Sequence, residues 1–455
     1  MDTNSIILVC YSLYWLAWLV WYQARTKKFT IGTLILGTYT LSSMASVYYY
    51  FQIPSFWSEH YSPLAFVYLG FCMSVCAYPF IRYATDLQEC HFESRKNNFV
   101  LVFLIVSAPL ILDVLLEVTR VALTTDVVNL ADIYGETSKD VVGESMSSIG
   151  AKALAFVKML SYIWPLLVFY CLTSDDKHFK WMALIPLAGV AAIWLAAYAA
   201  GRRVTIIRMM VYFLLIYFFA YKSINLELRK LMNRIFLIGG ATLLVLLALI
   251  TISRFNSYDF DFDVFTFVAW YAGEGEIRFA EHVWDLTRTS DGDTCFALVK
   301  EFMGLDTYTD LDVRRWVYNR KLNIPTHIFY THIGDWYIDL GPYFTLLLSG
   351  VFSAASWILL RKSINKGKVK VLSAMIIAIL ANIVIFGITY FSFKAYGDQL
   401  TLLFGMIWIV VFLIFEYLEN NNSQKSDEVI MEETSSPPDL LTDNSSNIEI
   451  KLVSK

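Results

Sequence analysis

A cluster of arginines is the first group of residues whose type and spacing suit chemistry. Arg202 and Arg203 follow Gly201 at a tight turn between two apolar runs, and Arg208 comes a short way into the second run. Arginine pairs bidentately with phosphate oxygens, so the cluster predicts binding of an anion, above all a phosphate or pyrophosphate. The alternative is that these side chains reach to lipid phosphates as interfacial anchors.

The second group contains a histidine and two aspartates, His332, Asp335 and Asp339, where a long polar segment meets an apolar run. In a helix, the i, i+4 spacing puts Asp335 and Asp339 on one face, and His332 lies close to it. Histidine accepts or donates protons near neutral pH, so we predict a functional cluster. These residues form no HxxH or HExxH pattern and the six cysteines show no metal-ligand spacing, so no metal is expected.

The elements that must position these groups are membrane helices. The chain has 455 residues, of which 57% are apolar and only 17% charged, whereas soluble domains carry about 25% charged residues. The apolar residues come in blocks of about twenty, the length of a transmembrane helix. We therefore predict an all-α polytopic membrane protein with eleven spans, at 6–22, 31–51, 63–81, 99–116, 153–172, 181–200, 204–221, 235–253, 337–360, 371–391 and 399–417.

The longest polar segment between these spans is 254–336, the acidic link 117–150 is the second longest, and an Asn-, Ser- and acid-rich tail follows the last span. We expect the tail to be disordered in the cytoplasm, because it has too little apolar surface to offset the entropy of ordering. The predicted regions are spans one to eight at 1–253, the large loop at 254–336, spans nine to eleven at 337–418 and the tail at 419–455.

Within the large loop, two or three short helices are expected to lie over the mouth of the bundle. One begins at Glu276 and has Glu276 and Arg278 on its polar face, where both are candidates for substrate binding. A second covers 296–305, with its apolar side chains turned inward. These are Phe296, Val299, Phe302 and Met303.

The distribution of basic residues predicts the orientation of the bundle. Seventeen lysines and arginines lie in the odd-numbered short links and five in the even-numbered ones, so the odd links are predicted to be cytoplasmic. The N-terminus and the large loop are then outside and the C-terminus inside. Arg254 and Lys158 also fall near the outer face, where they and the arginine cluster would form a basic vestibule. No nucleotide-binding motif occurs, which argues against a pump driven by cytoplasmic ATP.

Three segments of the chain resemble features of one family. The segment Thr331-His-Ile-Gly-Asp-Trp-Tyr-Ile-Asp-Leu-Gly-Pro-Tyr resembles the signature that closes the large outer loop of bacterial oligosaccharide repeat-unit (O-antigen, Wzy-type) polymerases. The turn Gly201-Arg202-Arg203 resembles a second recurrent feature, which O-antigen ligases share, and Tyr271-Ala-Gly is a third. The resemblance covers spans six to nine and the architecture of the whole chain.

The resemblance implies a GT-C-like enzyme of the bacterial inner membrane, with its N-terminus and large loop periplasmic and its C-terminus cytoplasmic. Such enzymes polymerise undecaprenyl-diphosphate-linked glycan units of lipopolysaccharide or capsule by glycosyl transfer, without metal, nucleotide or cofactor. The partners implied are that lipid-linked glycan, the bilayer and a chain-length regulator, and no nucleic acid.

Carried over by position, the arginine cluster supplies ligands of the diphosphate, and the His332, Asp335 and Asp339 group supplies the base. The other candidate substrate ligands are Arg254, Lys158, Glu276 and Arg278. Ligases usually have His-Asn before the glycine motif and a glutamate where Asp339 stands. Because this sequence has neither, polymerase is favoured over ligase, and the same difference weakens His332 as the base.

Other functions remain as alternatives: an O-antigen ligase, another membrane glycosyltransferase, or a transporter or flippase for a lipid-linked glycan. Transporters often contain repeated halves and helices broken near the midplane. This sequence shows no clear repeat, and its longest polar segment lies on one face only. The polymerase is therefore the function that the sequence favours.

Overall fold

The computed structural model describes residues 2–53, 60–93, 97–125, 141–256, 262–326 and 328–435, and about 79% of these residues are helical. Its first helices are α1 (Thr3–Thr26), α2 (Ile31–Gln52), α3 (Pro63–Gln88), α4 (Asn98–Thr124), α5 (Val141–Glu144), α6 (Ser148–Met159), α7 (Ile163–Thr173), α8 (Lys177–Trp181) and α9 (Leu184–Ala199). The later ones are α10 (Arg203–Ala220), α11 (Leu226–Asn256), α12 (Val264–Arg278), α13 (Ala297–Phe302), α14 (Leu311–Leu322), α15 (Thr331–Asn365), α16 (Val371–Phe386) and α17 (Tyr396–Ser435).

Within the described residues, eight helices are long and apolar enough to cross a membrane. A ninth is added if α6 and α7, which meet at 69°, form one broken span. Large apolar side chains point away from the protein along these helices, as lipid contact requires. Examples are Leu13, Val106, Leu112, Leu244 and Leu347. The protein is therefore a polytopic helical membrane protein.

Several predicted spans have different bounds in the structure. The helix α2 is not among the eight apolar helices, because it carries a stripe of small hydroxyl residues, Ser42, Ser43 and Ser46, all buried. The ninth span begins earlier, at Thr331, and the tenth ends at Phe386, earlier than predicted. The last helix continues to Ser435, past the predicted end at 417.

Two compact units divide the chain, Met1–Ile409 and Val410–Lys455, and the contacts that follow all belong to the first. At one end of this unit, Glu89 pairs with Lys28 at 3.5 Å and with Lys222 at 3.7 Å. Nearby, the short strands β1 (His91–Glu93) and β2 (Lys368–Lys370) pair in parallel. The links that follow spans one, three, seven and nine thus lie at the same end of the bundle. This agrees with the prediction that they lie on the same side of the membrane.

At the opposite end, α12 packs closely against α2. The hydroxyls of Ser42 and Ser46 donate hydrogen bonds to the carbonyl oxygens of Ala272 at 2.8 Å and Gly273 at 2.7 Å. A Cβ on Gly273 would lie 2.3 Å from the backbone nitrogen of Ser46. Small residues on both helices therefore permit a backbone approach that larger side chains would prevent.

The helices of the large loop differ from the prediction. The first begins at Val264, where Asp263 caps it by accepting a bond from the Thr266 backbone N–H at 2.7 Å, and it continues as a π-helix over Phe279–Val283. Glu276, predicted on a polar face, is fully buried because that face packs on α2.

The prediction for the second helix of the loop was also wrong in part. In α13 the buried residues are Ala297 and Leu298, whereas Val299, Phe302 and Met303 are 53%, 72% and 69% exposed. The reason is the way in which this helix docks: Leu298 faces the start of α17 and donates its backbone N–H to Gln399 at 2.9 Å.

Replacing Gly273 tests the contact between α12 and α2. Gly273→Ala should lower the melting temperature of the purified protein in detergent, because overpacking a close contact costs about 1–3 kcal/mol. Gly350→Ala is the matched control, since nothing lies within 4 Å of a Cβ at Gly350 and alanine is the better helix former. Equal melting temperatures for the two variants would contradict the packing described.

Candidate functional site

The turn between α9 and α10 presents the first two arginines. Gly201 adopts a left-handed conformation with φ 61°, and the backbone N–H of Arg202 donates to the Ala197 carbonyl at 2.8 Å. Such bonds cap the end of a helix and turn the chain sharply. The side chain of Arg202 is exposed, and that of Arg203 turns inward.

The Arg203 guanidinium lies over an aromatic ring of the large loop. Its central carbon is 4.0 Å from the ring centroid of Tyr271 in α12. Its Nη1 donates to the hydroxyl of Thr251 in α11 at 3.0 Å. Partly desolvated cation–π contacts of this kind stabilise by roughly 1–2 kcal/mol. The structure thus brings together two separate motifs, Gly-Arg-Arg and Tyr-Ala-Gly.

Tyr271 is the first of three neighbouring aromatic rings, all partly exposed, which we call the aromatic row. The ring of Phe329 lies 6.0 Å from that of Tyr271, and the ring of Tyr390 stacks on Phe329 at 5.5 Å and 14°. Phe329 precedes α15, and Tyr390 follows α16. Three distant parts of the chain therefore form one aromatic surface next to Arg203.

The third arginine, Arg208, has protein partners. Its Nη2 lies 2.7 Å from Oδ1 of Asp398, and its Nη1 donates to the carbonyl oxygen of Ser392 at 2.8 Å. A guanidinium between helices needs such acceptors, because removing it from water without them is costly. Of the three arginines, Arg208 is thus paired with a carboxylate and Arg203 with a ring, while Arg202 is exposed.

Asp339 binds the loop between the π-helix and α13. Its carboxylate accepts bonds from the backbone N–H groups of Thr294 at 2.9 Å and Cys295 at 2.5 Å, and from the Ser290 hydroxyl. Asp339 is 2% exposed. Its present contacts are those of a carboxylate that holds a turn of backbone.

Asp335, one helical turn earlier, binds the segment after α16. It accepts from the Lys394 ammonium at 2.7 Å and from the Phe391 backbone N–H at 2.7 Å. His332 lies against the same segment, with its Nδ1 3.1 Å from the carbonyl oxygen of Gly387. Both side chains are fully buried.

His332, Asp335 and Asp339 thus lie close together along α15, but the two aspartates bind different parts of the chain. The helix puts Asp335 and Asp339 on one face, as the spacing indicated. One carboxylate holds residues 290–295 and the other holds residues 387–394. The side chains of Asp335, Asp339 and His332 are all closed off from solvent in this structure.

Close backbone contacts surround the start of α15. Thr331 has a left-handed conformation with φ 68°, which is costly for a β-branched residue. Its backbone N–H donates to the Thr389 carbonyl at 2.9 Å. A Cβ on Gly387 would lie 2.1 Å from His332 Nδ1, and one on Gly275 would lie 2.6 Å from the Ile388 carbonyl. Only glycine fits at these two positions.

Asp293 and Arg314 are structural residues to which we assigned no role from the sequence. Asp293 accepts from the Lys300 ammonium at 2.5 Å and from the Tyr318 hydroxyl. Arg314, 3% exposed, donates to the carbonyl oxygens of Asp293 at 3.1 Å and Lys394 at 3.2 Å. These contacts join α14 to both segments held by the α15 aspartates. No spacing in the sequence pairs them, since they lie far apart along the chain.

Glu276 is buried on the other side of α12. The Ser46 hydroxyl lies 2.9 Å from Glu276 Oε2 and 2.7 Å from the Gly273 carbonyl. A hydroxyl has one hydrogen, so it can donate to only one of these acceptors. If it donates to Gly273, Glu276 must be protonated and donate to Ser46. Burial raises the pKa of Glu276 to about 8, which favours that state.

Arg278 and its neighbours form a small charged cluster at the end of α12. Its Nη1 lies 3.2 Å from the Glu281 carboxylate and 3.3 Å from His282 Nε2. Burial, and then the charge of Arg278, lower the pKa of His282 to about 4. His282 is therefore neutral near pH 7.

The remaining predicted ligands are less closely defined. Lys158 lies half-buried in the last turn of α6, before the bend into α7. The side chain of Arg254 lies outside the described residues. Among the residues that are described, no group of three or more His, Cys, Asp and Glu side chains is placed to hold a metal ion.

Protonation of Glu276 should make stability depend on pH. Its folded-state pKa of about 8 lies above the ordinary value of 4.5. The stabilising proton is therefore present in full below pH 4.5, and its contribution is lost as the pH rises through about 8. Glu276→Gln keeps the donor without the charge, so its melting temperature should fall less than that of the parent over this range.

The exposed Glu227→Gln is the matched control and should follow the parent protein. Melting temperatures measured in the same detergent across the pH series separate the two. A Glu276→Gln profile that declines as steeply as the parent's would show that Glu276 does not carry the effect.

Comparison with known proteins adds no relative to this picture. No family model, curated protein or solved structure matches the chain. What the protein does must therefore follow from its own residues and contacts.

Proposed function

We propose that this protein polymerises undecaprenyl-diphosphate-linked oligosaccharide repeat units, of O-antigen or capsular polysaccharide, by glycosyl transfer at the periplasmic face of the bacterial inner membrane. The observation that carries the proposal is the contact of Arg203 with Tyr271, at the head of the partly exposed aromatic row. It puts a cation next to rings suited to sugars, in a protein of the membrane where a lipid-linked substrate resides. The resemblance of the three sequence segments points the same way.

The arginines serve the leaving group. As the glycosidic bond to the donor diphosphate breaks, negative charge grows on the departing oxygen, and fixed cations stabilise that charge. Arg202 is exposed and free to reach a phosphate, while Arg203 is held in place by Tyr271 and Thr251. Arg208 acts indirectly, by holding Asp398 and the segment that carries Tyr390.

The aromatic row serves the glycan. The C–H bonds on one face of a sugar ring pack favourably against the electron-rich face of an aromatic ring. Tyr271, Phe329 and Tyr390 are each only partly covered, so they retain surface for such packing. A row of rings accepts several sugars in succession, which suits a substrate that grows by repeat units.

The proposed transfer needs no cofactor, because it exchanges one C–O bond of the donor sugar for another. The acceptor hydroxyl loses its proton and forms a C–O bond to the anomeric carbon of the donor, and the bond from that carbon to the diphosphate oxygen breaks. A base must touch the acceptor, whereas His332, Asp335 and Asp339 are closed off from solvent. We assign these three to positioning and the proton transfer to His282, which is neutral near pH 7 and is the more exposed member of its pair with Glu281.

The direct test is reconstitution. Purified protein in liposomes, given undecaprenyl-diphosphate-linked repeat units alone, should produce a ladder of products differing by one unit on a gel. The reason is that each product is again a donor for the next transfer. In a parallel reaction that also contains lipid A, transfer of the glycan to lipid A without a ladder would indicate a ligase, and movement of the repeat units across the bilayer without new bonds would indicate a transporter.

Substitution at Arg203 tests the assigned cation. Arg203→Ala should lower the polymerisation rate on the order of 10²-fold, the usual loss when one charge-stabilising group is removed. Arg203→Lys keeps the charge without the planar stacking on Tyr271, and its rate should lie in between. Arg234→Ala, an exposed arginine on α11, is the matched control. Full activity of Arg203→Ala in folded protein would refute the role.

A further inference from the structure

A continuous apolar surface lies uncovered on the large loop. Val299, Phe302, Met303 and Leu305 all point away from the protein and are at least half exposed. A water-facing loop rarely leaves four such neighbours uncovered, so a surface of this kind marks an interaction. We call it the 299–305 surface.

The level of this surface relative to the membrane follows from its contacts with α17. Gln399 accepts the Leu298 backbone N–H at 2.9 Å and donates to the Cys295 carbonyl at 3.0 Å, and the Tyr396 hydroxyl bonds to Glu301. The stretch Tyr396–Phe415 is one of the eight helices able to cross a membrane. Its first turn therefore marks the edge of the hydrocarbon, and α13 lies beside it.

A hydrogen bond to α15 places the loop before α13 at the same depth relative to the membrane. The Ser290 backbone N–H donates to the carbonyl oxygen of Ile338 in α15 at 2.9 Å. Beyond a kink in α15 at Gly341, where φ is 73°, Tyr343 and Phe344 are highly exposed, as side chains facing lipid would be. The loop before α13 is thus tied to α15 just before that helix becomes apolar on its outer side.

The neighbouring helix α14 has the composition of an interfacial element. Trp316 and Val313 are exposed, and the guanidinium of Arg320 lies 4.4 Å from the Trp316 ring centroid. The opposite face, with Arg314 and Tyr318, is buried against the protein. Tryptophan with a neighbouring arginine is typical of the headgroup region, where one end of the ring is apolar and the other wet.

We propose that the 299–305 surface, together with Trp316, inserts into the boundary between headgroups and acyl chains of the bilayer. Lipid is the occupant because the surface lies beside the first turn of α17, a helix able to cross the membrane, whose Phe404 and Ile407 are exposed further along. Basic and acidic residues are nearly balanced in 297–322, so burial of apolar area, and not attraction between charges, drives the insertion. The large loop is then held at the membrane surface on its outer edge.

Site-directed spin labelling tests this placement without any glycan substrate. In a Cys10→Ser background, which removes the one exposed cysteine of the free cysteines described, a nitroxide is attached at Phe302→Cys in phosphatidylcholine nanodiscs. Collision with molecular oxygen, which dissolves in lipid, should be frequent, and collision with a water-soluble nickel chelate should be rare. The side chains of Cys10 and Phe302 are both exposed, so the two substitutions and the label should leave the fold intact.

Two control positions calibrate the measurement. Phe404→Cys on α17 should give the same lipid pattern, and Lys366→Cys, at an exposed residue just after α15, should give the aqueous pattern. A Phe302 label resembling that at Lys366 would overturn the proposal. So would a label shielded from both reagents, since a second protein or a second copy would then cover the surface. Neither outcome depends on the proposed glycosyl transfer.

Discussion

Two carboxylates one helical turn apart organise the polar end of this molecule. Asp335 and Asp339 lie at the start of α15, where the helix leaves the apolar bundle, and each binds backbone N–H groups from a different segment. Backbone near the hydrocarbon must have its hydrogen bonds satisfied by protein, since water is scarce there. Because both non-helical segments depend on these two side chains, the aromatic row and the loop above it depend on them as well.

The same constraint explains the buried polar residues of α2 and α12. Small hydroxyls and glycines let the two backbones approach, and the approach encloses Glu276. An ionised carboxylate in that position would lack a cation, so the neutral form is the stable one. As a consequence, the packing at this contact weakens as the pH rises through about 8.

The helices could be predicted from the sequence more completely than the contacts of the candidate site. Blocks of about twenty apolar residues indicated the helices well, because span length is set by bilayer thickness. The same pattern predicted the start of the ninth span and the end of the tenth span less well. The reason is that the start of α15 and the end of α16 depend on bonds between Thr331 and the segment after Gly387. The spacing of Asp335 and Asp339 gave their shared face. It could not give their partners, which lie more than forty residues away along the chain and meet them only after folding.

The arginines show a further limit of reading residues by type. Three guanidiniums within seven positions indicated one anion site, yet packing gave each a different environment: water for Arg202, an aromatic ring for Arg203 and Asp398 for Arg208. Nothing local to the turn encodes Tyr271 or Asp398. Charge alone therefore overstates how many cations a ligand can meet.

The aromatic row and the 299–305 surface are connected through one short segment. Tyr390 belongs to the row, and a few residues later the Phe393 carbonyl accepts a bond from Gln399, which also binds Leu298 beside the surface. A lipid-linked donor keeps its diphosphate at the headgroup level, so its sugars must be received at a fixed height above the membrane. A loop held in the interface and bonded to the segment that carries Tyr390 would set that height. Insertion of the surface would then serve the proposed transfer by fixing the distance between arginines and rings, rather than by contacting the substrate.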